Sequence, residues 1–178
     1  WGKCIEGVPR QASRVGATFA RNSHVSHMPQ STLFPHLAHR RIVLAFFDPF
    51  EYLWLRHKGE ALNTNFSSAL GDIAYQVACH QRVQNIGLKT RDVLNLVNDS
   101  EVTPYERCSG HDGTYAVKKE TRDKSVKIAR PTVRKIDAQA PDRFISDCPM
   151  AGEHIANLAE NVQKAEHPMT LLREAYGL

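Results

Sequence analysis

Apolar positions after residue 70 recur in short runs that alternate with longer stretches of helical spacing. Three β-prone runs span residues 73–78, 102–107 and 143–147, and a cysteine directly follows each run. Apolar residues at helical spacing then follow each cysteine. Because strands that alternate with helices are typical of βαβ units, the pattern predicts an α/β fold with a mostly parallel sheet, with the cysteines at the strand carboxyl ends.

Capping signals add detail to this pattern. Asp48 can cap a helix that has Pro49 at its first position, and Thr90 can cap a second helix. The aromatic residues between positions 46 and 54 are predicted to belong to the core. Further helices are predicted over about 115–129, from Cys148 through Ile155 to Val162, and from Pro168 to Gly177, with a loop over 59–70.

Residues 1–47 follow no sustained period of 2 or 3.6. Arginine and histidine are frequent there, and glycine, serine and proline interrupt often. We expect an irregular segment rather than a targeting arm, and we place the domain over residues 48–178. Cys4 lies in the irregular segment and is expected only to pack.

Composition narrows the class of protein. The chain has 178 residues, 23 basic and 19 acidic residues, and a net charge of +4, which is too weak and dispersed to predict nucleic-acid binding. The longest apolar run, Ile42 to Phe47, is far shorter than the roughly 20 residues of a membrane-spanning helix. Four cysteines and the lack of a secretory signal favour a reducing, cytoplasmic setting.

The cysteines that follow the three strands are the main chemical signal. Because the carboxyl ends of parallel strands meet at one edge of a sheet, we expect Cys79, Cys108 and Cys148 to lie close together. Thiolates are ligands that zinc and iron–sulfur clusters prefer. His80, His111 or His154 could complete a tetrahedral zinc site, and the same thiolates could hold a cluster or leave one position open. These histidines each follow one of the three cysteines.

Two kinds of cysteine catalysis fail on spacing. A cysteine phosphatase would need an arginine six residues after Cys108, where Thr114 stands, and a dithiol oxidoreductase would need a cysteine in place of Ala151. The turn over residues 110–114 can hold an anion, use His111 and Asp112 in acid–base chemistry, or supply a ligand. It can also be an ordinary turn whose aspartate caps a helix.

Three strings of residues resemble the cysteine-rich "CCG" domain. They are Ala78–Gly87, Glu106–Thr114 and Ser146–Gly152, and the resemblance extends over about residues 48–178. That domain occurs in the cysteine-rich subunit of heterodisulfide reductase and in the iron–sulfur subunits of glycolate oxidase and of anaerobic glycerol-3-phosphate dehydrogenase, the last being most similar to this chain. The family pattern is one cysteine, then Cys-Cys-Gly, then Cys-x-x-Cys. Cys79, Cys108 and Cys148 match its ligand positions, whereas Ser109 and Ala151 replace two family cysteines.

The resemblance implies a non-catalytic electron-transfer subunit of anaerobic respiration. It would relay electrons between a flavin-containing dehydrogenase and an acceptor such as quinone through an iron–sulfur centre, for example a 4Fe–4S cluster. Its partners could hold it peripherally at the inner face of the cell membrane, and the chain would be the last third of a longer protein. The alternative is a zinc-binding or metal-free structural or docking module of such a complex.

The position of each histidine relative to its cysteine indicates which one we expect as a fourth ligand. His111 lies three residues after Cys108 in a glycine-flanked turn, so it is the first choice, and His80 is the second. His154 lies nearly two helical turns beyond Cys148 and is expected to sit well away from the site.

Overall fold

A computed structural model of the chain describes residues 46–178, and its centre is a parallel sheet of three strands. The strands are β1 (Gly71–Gln76), β2 (Ser100–Tyr105) and β3 (Arg143–Ser146), in the order β2-β1-β3. The α/β class is therefore confirmed. The irregular segment expected over residues 1–47, together with Cys4, lies outside the described residues apart from Phe46 and Phe47.

The central strand is paired along both of its edges. Ile73 lies opposite Val102 of β2 and Arg143 of β3, and both pairings are parallel. Side chains of β1 alternate between the two faces of the sheet. Ile73 and Tyr75 therefore belong to one hydrophobic cluster, and Ala74 belongs to another.

Helices cover both faces of this sheet. The first cluster takes residues from α1 (Pro49–Lys58), α3 (Lys89–Leu94) and α6 (Pro168–Ala175). The second takes residues from α4 (Lys119–Gln139) and α5 (Pro149–Ala156). A short helix, α2 (Cys79–Val83), follows the central strand. None of the helices described between residues 46 and 178 is long and apolar enough to cross a membrane.

The start of α1 agrees with the sequence. The Asp48 carboxylate accepts a hydrogen bond from the Phe50 backbone N–H at 2.9 Å, and Pro49 occupies the first turn. Only part of the aromatic cluster is core, however. Phe50 is fully buried, whereas Phe46 is 85% exposed and Phe47 and Tyr52 are also exposed, so the expectation of a core position is wrong for these three residues.

Two helix predictions are wrong in informative ways. Thr90 does not cap α3, because its hydroxyl is buried and bonds to the Asp147 carboxylate instead. The helix expected to follow β3 as far as Val162 ends at Ala156, and residues 157–167 form a loop. In that loop Glu166 bonds to β3 through its backbone and protects the outer edge of the strand.

The third difference concerns Pro131. The sequence predicts that the helix after Cys108 ends near Ala129, before this proline, but α4 continues to Gln139. Buried residues on both sides of the proline, among them Ala129 and Val133, pack into the second cluster. Their burial outweighs the loss of one backbone hydrogen bond at the carbonyl of Lys127.

We predict that Pro131→Ala stabilises the protein, because residue 131 is exposed and alanine restores the missing N–H donor. The expected gain in the free energy of unfolding is about 1–3 kcal/mol, measured by urea denaturation. Pro149→Ala is the matched control, since Pro149 lies in the first turn of α5, where proline costs nothing. A gain no larger than that of the control would contradict the interpretation.

Candidate metal centre

Each of the three strands ends just before a cysteine. Cys79 and Cys108 stand three residues after β1 and β2, and Cys148 stands two residues after β3. Because β1 is the direct neighbour of both other strands, the three cysteines emerge from adjacent strand ends at one edge of the sheet. Cys79 and Cys108 are exposed and Cys148 is half-buried, so this edge is accessible to solvent.

The thiols lie within electrostatic reach of one another. The pKa of the Cys79 thiol is raised, first by partial burial of its side chain and then by negative charge on Cys108 and Cys148. The guanidinium of Arg82 acts in the opposite direction. Partial burial is the leading cause although the residue as a whole is exposed. Cys108 and Cys148 thus lie on the same side of the sheet as Cys79, near enough for their charge to act on its thiol.

The three cysteine sulfurs are suitable ligands for a soft metal, but they are not arranged around a single ion position. Within residues 46–178 no group of three or more histidine, cysteine, aspartate or glutamate side chains is arranged to hold a metal ion. Three thiols are nevertheless the donor type that zinc and iron–sulfur clusters favour.

The turn after Cys108 curls back toward its own sulfur. The backbone N–H of Gly110 donates to the Cys108 sulfur at 3.4 Å, and the N–H of His111 donates to the Ser109 hydroxyl at 3.3 Å. Gly110 adopts a φ of 76°, in the left-handed region that favours glycine. The hydrogen bond to sulfur holds the Cys108 side chain against the turn that follows it.

A buried serine and histidine fasten this turn to two helices. Ser125 of α4 donates to the Gly110 carbonyl at 2.6 Å, and its oxygen lies 2.9 Å from Nε2 of His154. Since the serine hydrogen is used by the carbonyl, Nε2 of His154 carries a proton and donates it to Ser125. His154 belongs to α5, which begins right after Cys148, so the bridge links the surroundings of two cysteines.

The three candidate histidines have different surroundings. His154, expected far from the site, contacts Ser125 beneath the Cys108 turn. Its pKa is lowered by burial, then by the nearby charges of Arg122 and His111. His111 is buried beside it, and His80 is exposed on α2. Neither His111 nor His80 joins the cysteines in a metal-holding group within the described part of the chain.

A second polar bridge crosses the sheet at the same edge. The buried Ser146 hydroxyl donates to the Gln76 side-chain oxygen at 2.8 Å and accepts the backbone N–H of Cys148 at 3.2 Å. The Gln76 amide donates to the carbonyl of Arg107, the residue before Cys108, at 3.3 Å. One glutamine on the central strand thus ties the loops of Cys108 and Cys148 together.

A third network lies on the other face of the central strand. The Tyr75 hydroxyl is 2.6 Å from both the Gln81 side-chain oxygen and the Asp147 carboxylate, which Thr90 also contacts at 3.1 Å. The single hydroxyl hydrogen of Tyr75 donates to one of these two oxygens at a time. Burial raises the pKa of both Tyr75 and Asp147, and the hydrogen bonds that Asp147 accepts oppose this rise.

Sequence reasoning missed these supporting residues. Tyr75 and Gln76 interrupt an apolar strand, and Ser146 and Asp147 stand directly before a cysteine. Polar residues inside a buried strand need hydrogen-bond partners, which is the signal that could have pointed to them. The sequence could not reveal which partners they meet, because those come from positions 6 to 72 residues away.

We predict that Gly110→Ala is strongly destabilising, because a Cβ there would collide with the Ser125 carbonyl in addition to adopting a positive φ. The expected loss is about 2–4 kcal/mol in the free energy of unfolding. Gly113→Ala is the matched control, since Gly113 also has a positive φ but has no neighbour within 4 Å. Its loss should be about 1–2 kcal/mol. Equal losses in the two variants would show that the turn does not pack against α4.

Comparison with protein-family models, with curated proteins and with solved structures found no match to this chain. The resemblance of the three cysteine-containing strings to the CCG family therefore stays a prediction. The arrangement of the thiols and of the groups that support them is the evidence on which a function must be argued.

Proposed function

We propose that residues 48–178 form the cysteine-rich part of an electron-transfer subunit, in which Cys79, Cys108 and Cys148 bind an iron–sulfur centre. The observation that carries this proposal is the placement of three cysteines just after three adjacent parallel strands, at one edge of the sheet. A flavin-containing dehydrogenase as donor and quinone as acceptor belong to the proposal through the resemblance to the iron–sulfur subunit of anaerobic glycerol-3-phosphate dehydrogenase. The proposal also includes a position of the protein at the inner face of the cell membrane, where these partners would hold it.

The polypeptide around the thiols suits this role. A bound cluster would accept and release single electrons, and its potential would depend on burial and on hydrogen bonds to sulfur. The Gly110 N–H supplies one such bond to Cys108. The Gln76–Ser146 bridge and the Ser125–His154 bridge hold the loops of Cys108 and Cys148 in place at the edge of the sheet.

The proposal also has to supply a fourth ligand for the metal centre. Ser109 and Ala151, which replace two family cysteines, are both buried and cannot supply thiolates. Of the two histidines expected as ligands, His80 adjoins Cys79 and is exposed, whereas His111 is buried beside His154. We propose His80 or a solvent or partner ligand for the fourth position, with His111 in a supporting place.

A zinc-binding structural module is the second candidate. The loss of two family cysteines favours it, because three thiolates and one histidine match the donor set of a structural zinc site. In that case the domain would dock other subunits without carrying electrons. Both candidates use the same three cysteines and differ in the metal.

Anaerobic purification of the full chain tests the proposal through its metal content and colour. We expect a brown protein that contains iron and acid-labile sulfide and bleaches on reduction. Cys79→Ser, Cys108→Ser and Cys148→Ser should each lower the iron content severalfold, because three thiols leave no spare donor. Cys4→Ser is the matched control and should leave the iron content unchanged.

Two results would contradict the iron–sulfur proposal. A colourless protein with about one zinc per chain, lost in the same three variants, would establish the zinc module instead. Metal content that is absent, or that is equally reduced by Cys4→Ser, would remove the thiol centre altogether.

A further inference from the structure

The outer face of α4 carries a concentration of positive charge that the thiol centre does not use. Its members, called here the α4 basic face, are Lys124, Lys127, Arg130, Arg134 and Lys135. All five side chains are exposed. None of them forms an ion pair with any residue between 46 and 178, although other cations in that range do, for example Arg143 with Glu174 at 2.6 Å.

The helix that carries this face accounts for the charge of the whole protein. α4 contains seven basic and three acidic residues, and the rest of the chain contains 16 basic and 16 acidic residues. The net charge of +4 therefore originates in this one helix. Charge that is concentrated in this way is typical of a surface that steers a partner of opposite charge.

The shape of the face indicates what kind of surface it fits. At 3.6 residues per turn the five cations spread over an arc of about 140° around the helix, from Arg130 to Lys135. The exposed Glu120 and Asp123 of the first turns lie in the same arc, so the positive charge is strongest toward the carboxyl-terminal half of α4. The exposed Pro131 lies within this arc, and Ile128, which is 46% exposed, borders it beside Lys135. Exposed apolar side chains next to charged ones are a usual composition of a protein–protein interface.

We propose that the α4 basic face docks an acidic surface of a partner protein. A bilayer is a poorer fit, because α4 directs its large apolar residues Val133 and Ile136 into the core rather than toward a lipid. An extended polyanion such as nucleic acid would also meet the remaining surface, whose charge is balanced. A local acidic patch meets only the face itself. The proposal does not depend on which metal the cysteines bind.

The test measures binding of the full chain to a fluorescent acidic peptide helix with glutamates at three- and four-residue spacing, by fluorescence anisotropy. We compare wild type with the triple variant Lys127→Glu, Arg130→Glu and Arg134→Glu, in which helix propensity is nearly unchanged. Affinity should fall at least about tenfold in the variant, and wild-type affinity should fall when salt rises from about 50 to about 200 mM.

A charge-matched variant separates the face from net charge. Lys58→Glu, Lys164→Glu and Arg173→Glu change the same number of exposed cations outside α4 and should alter affinity by less than about threefold. Equal losses in the two triple variants, or the absence of binding to wild type, would overturn the proposal. So would tighter binding to vesicles of phosphatidylcholine and phosphatidylglycerol, if the α4 variant abolished it, because a lipid surface would then be the partner.

Discussion

The parallel pairing of β1 with both of its neighbours determines where the chemistry of this protein lies. Parallel strands end at the same edge of a sheet, so the loop that leaves β1 starts between the loops that leave β2 and β3. Each of these loops contains one cysteine within three residues of its strand. Cysteines separated by 29 to 69 positions in sequence thus emerge at one edge of the sheet, although no local interaction brings them together.

Buried polar groups make this edge rigid. An unpaired buried amide, hydroxyl or carboxyl costs roughly 1–3 kcal/mol, so each such group constrains the loop that supplies its partner. Every buried side-chain nitrogen or oxygen in residues 46–178 has a partner. Gln76 joins the loops before Cys108 and Cys148, and Ser125 joins the Cys108 turn to His154. An apolar core in the same place would stabilise the fold more than these networks do. The networks instead fix the position of the loops that carry the thiols.

The fold class and the position of the cysteines could be predicted from the sequence, because both follow from short-range patterns. Apolar runs of strand length and the Asp48–Pro49 capping signal depend on neighbours within a few residues. The hydrogen bond of Thr90 and the continuation of α4 through Pro131 could not be predicted in this way. The Thr90 hydroxyl bonds to a carboxylate 57 residues away, and α4 passes through Pro131 because distant residues bury its inner face.

The same limit applies to the histidines. The spacing of residues along α5 correctly predicts that His154 lies nearly two turns from Cys148 on that helix. The same spacing cannot predict contacts with α4, whose Ser125 approaches His154 where the two helices pack. A histidine next to a cysteine, such as His80, can be named as a candidate from sequence, but a contact that tertiary packing creates, such as that of His154 with Ser125, cannot.

X-ray absorption at the edge of the bound metal tests the central claim most directly, because it counts sulfur ligands without reference to the fold. The convergence of Cys79, Cys108 and Cys148 predicts about three protein sulfur ligands at roughly 2.3 Å for zinc, or iron bonded only to sulfur apart from one position for a cluster. Each serine substitution should replace one of these sulfurs. A metal bound by oxygen and nitrogen alone, or sulfur ligation that survives the loss of all three cysteines, would contradict the account.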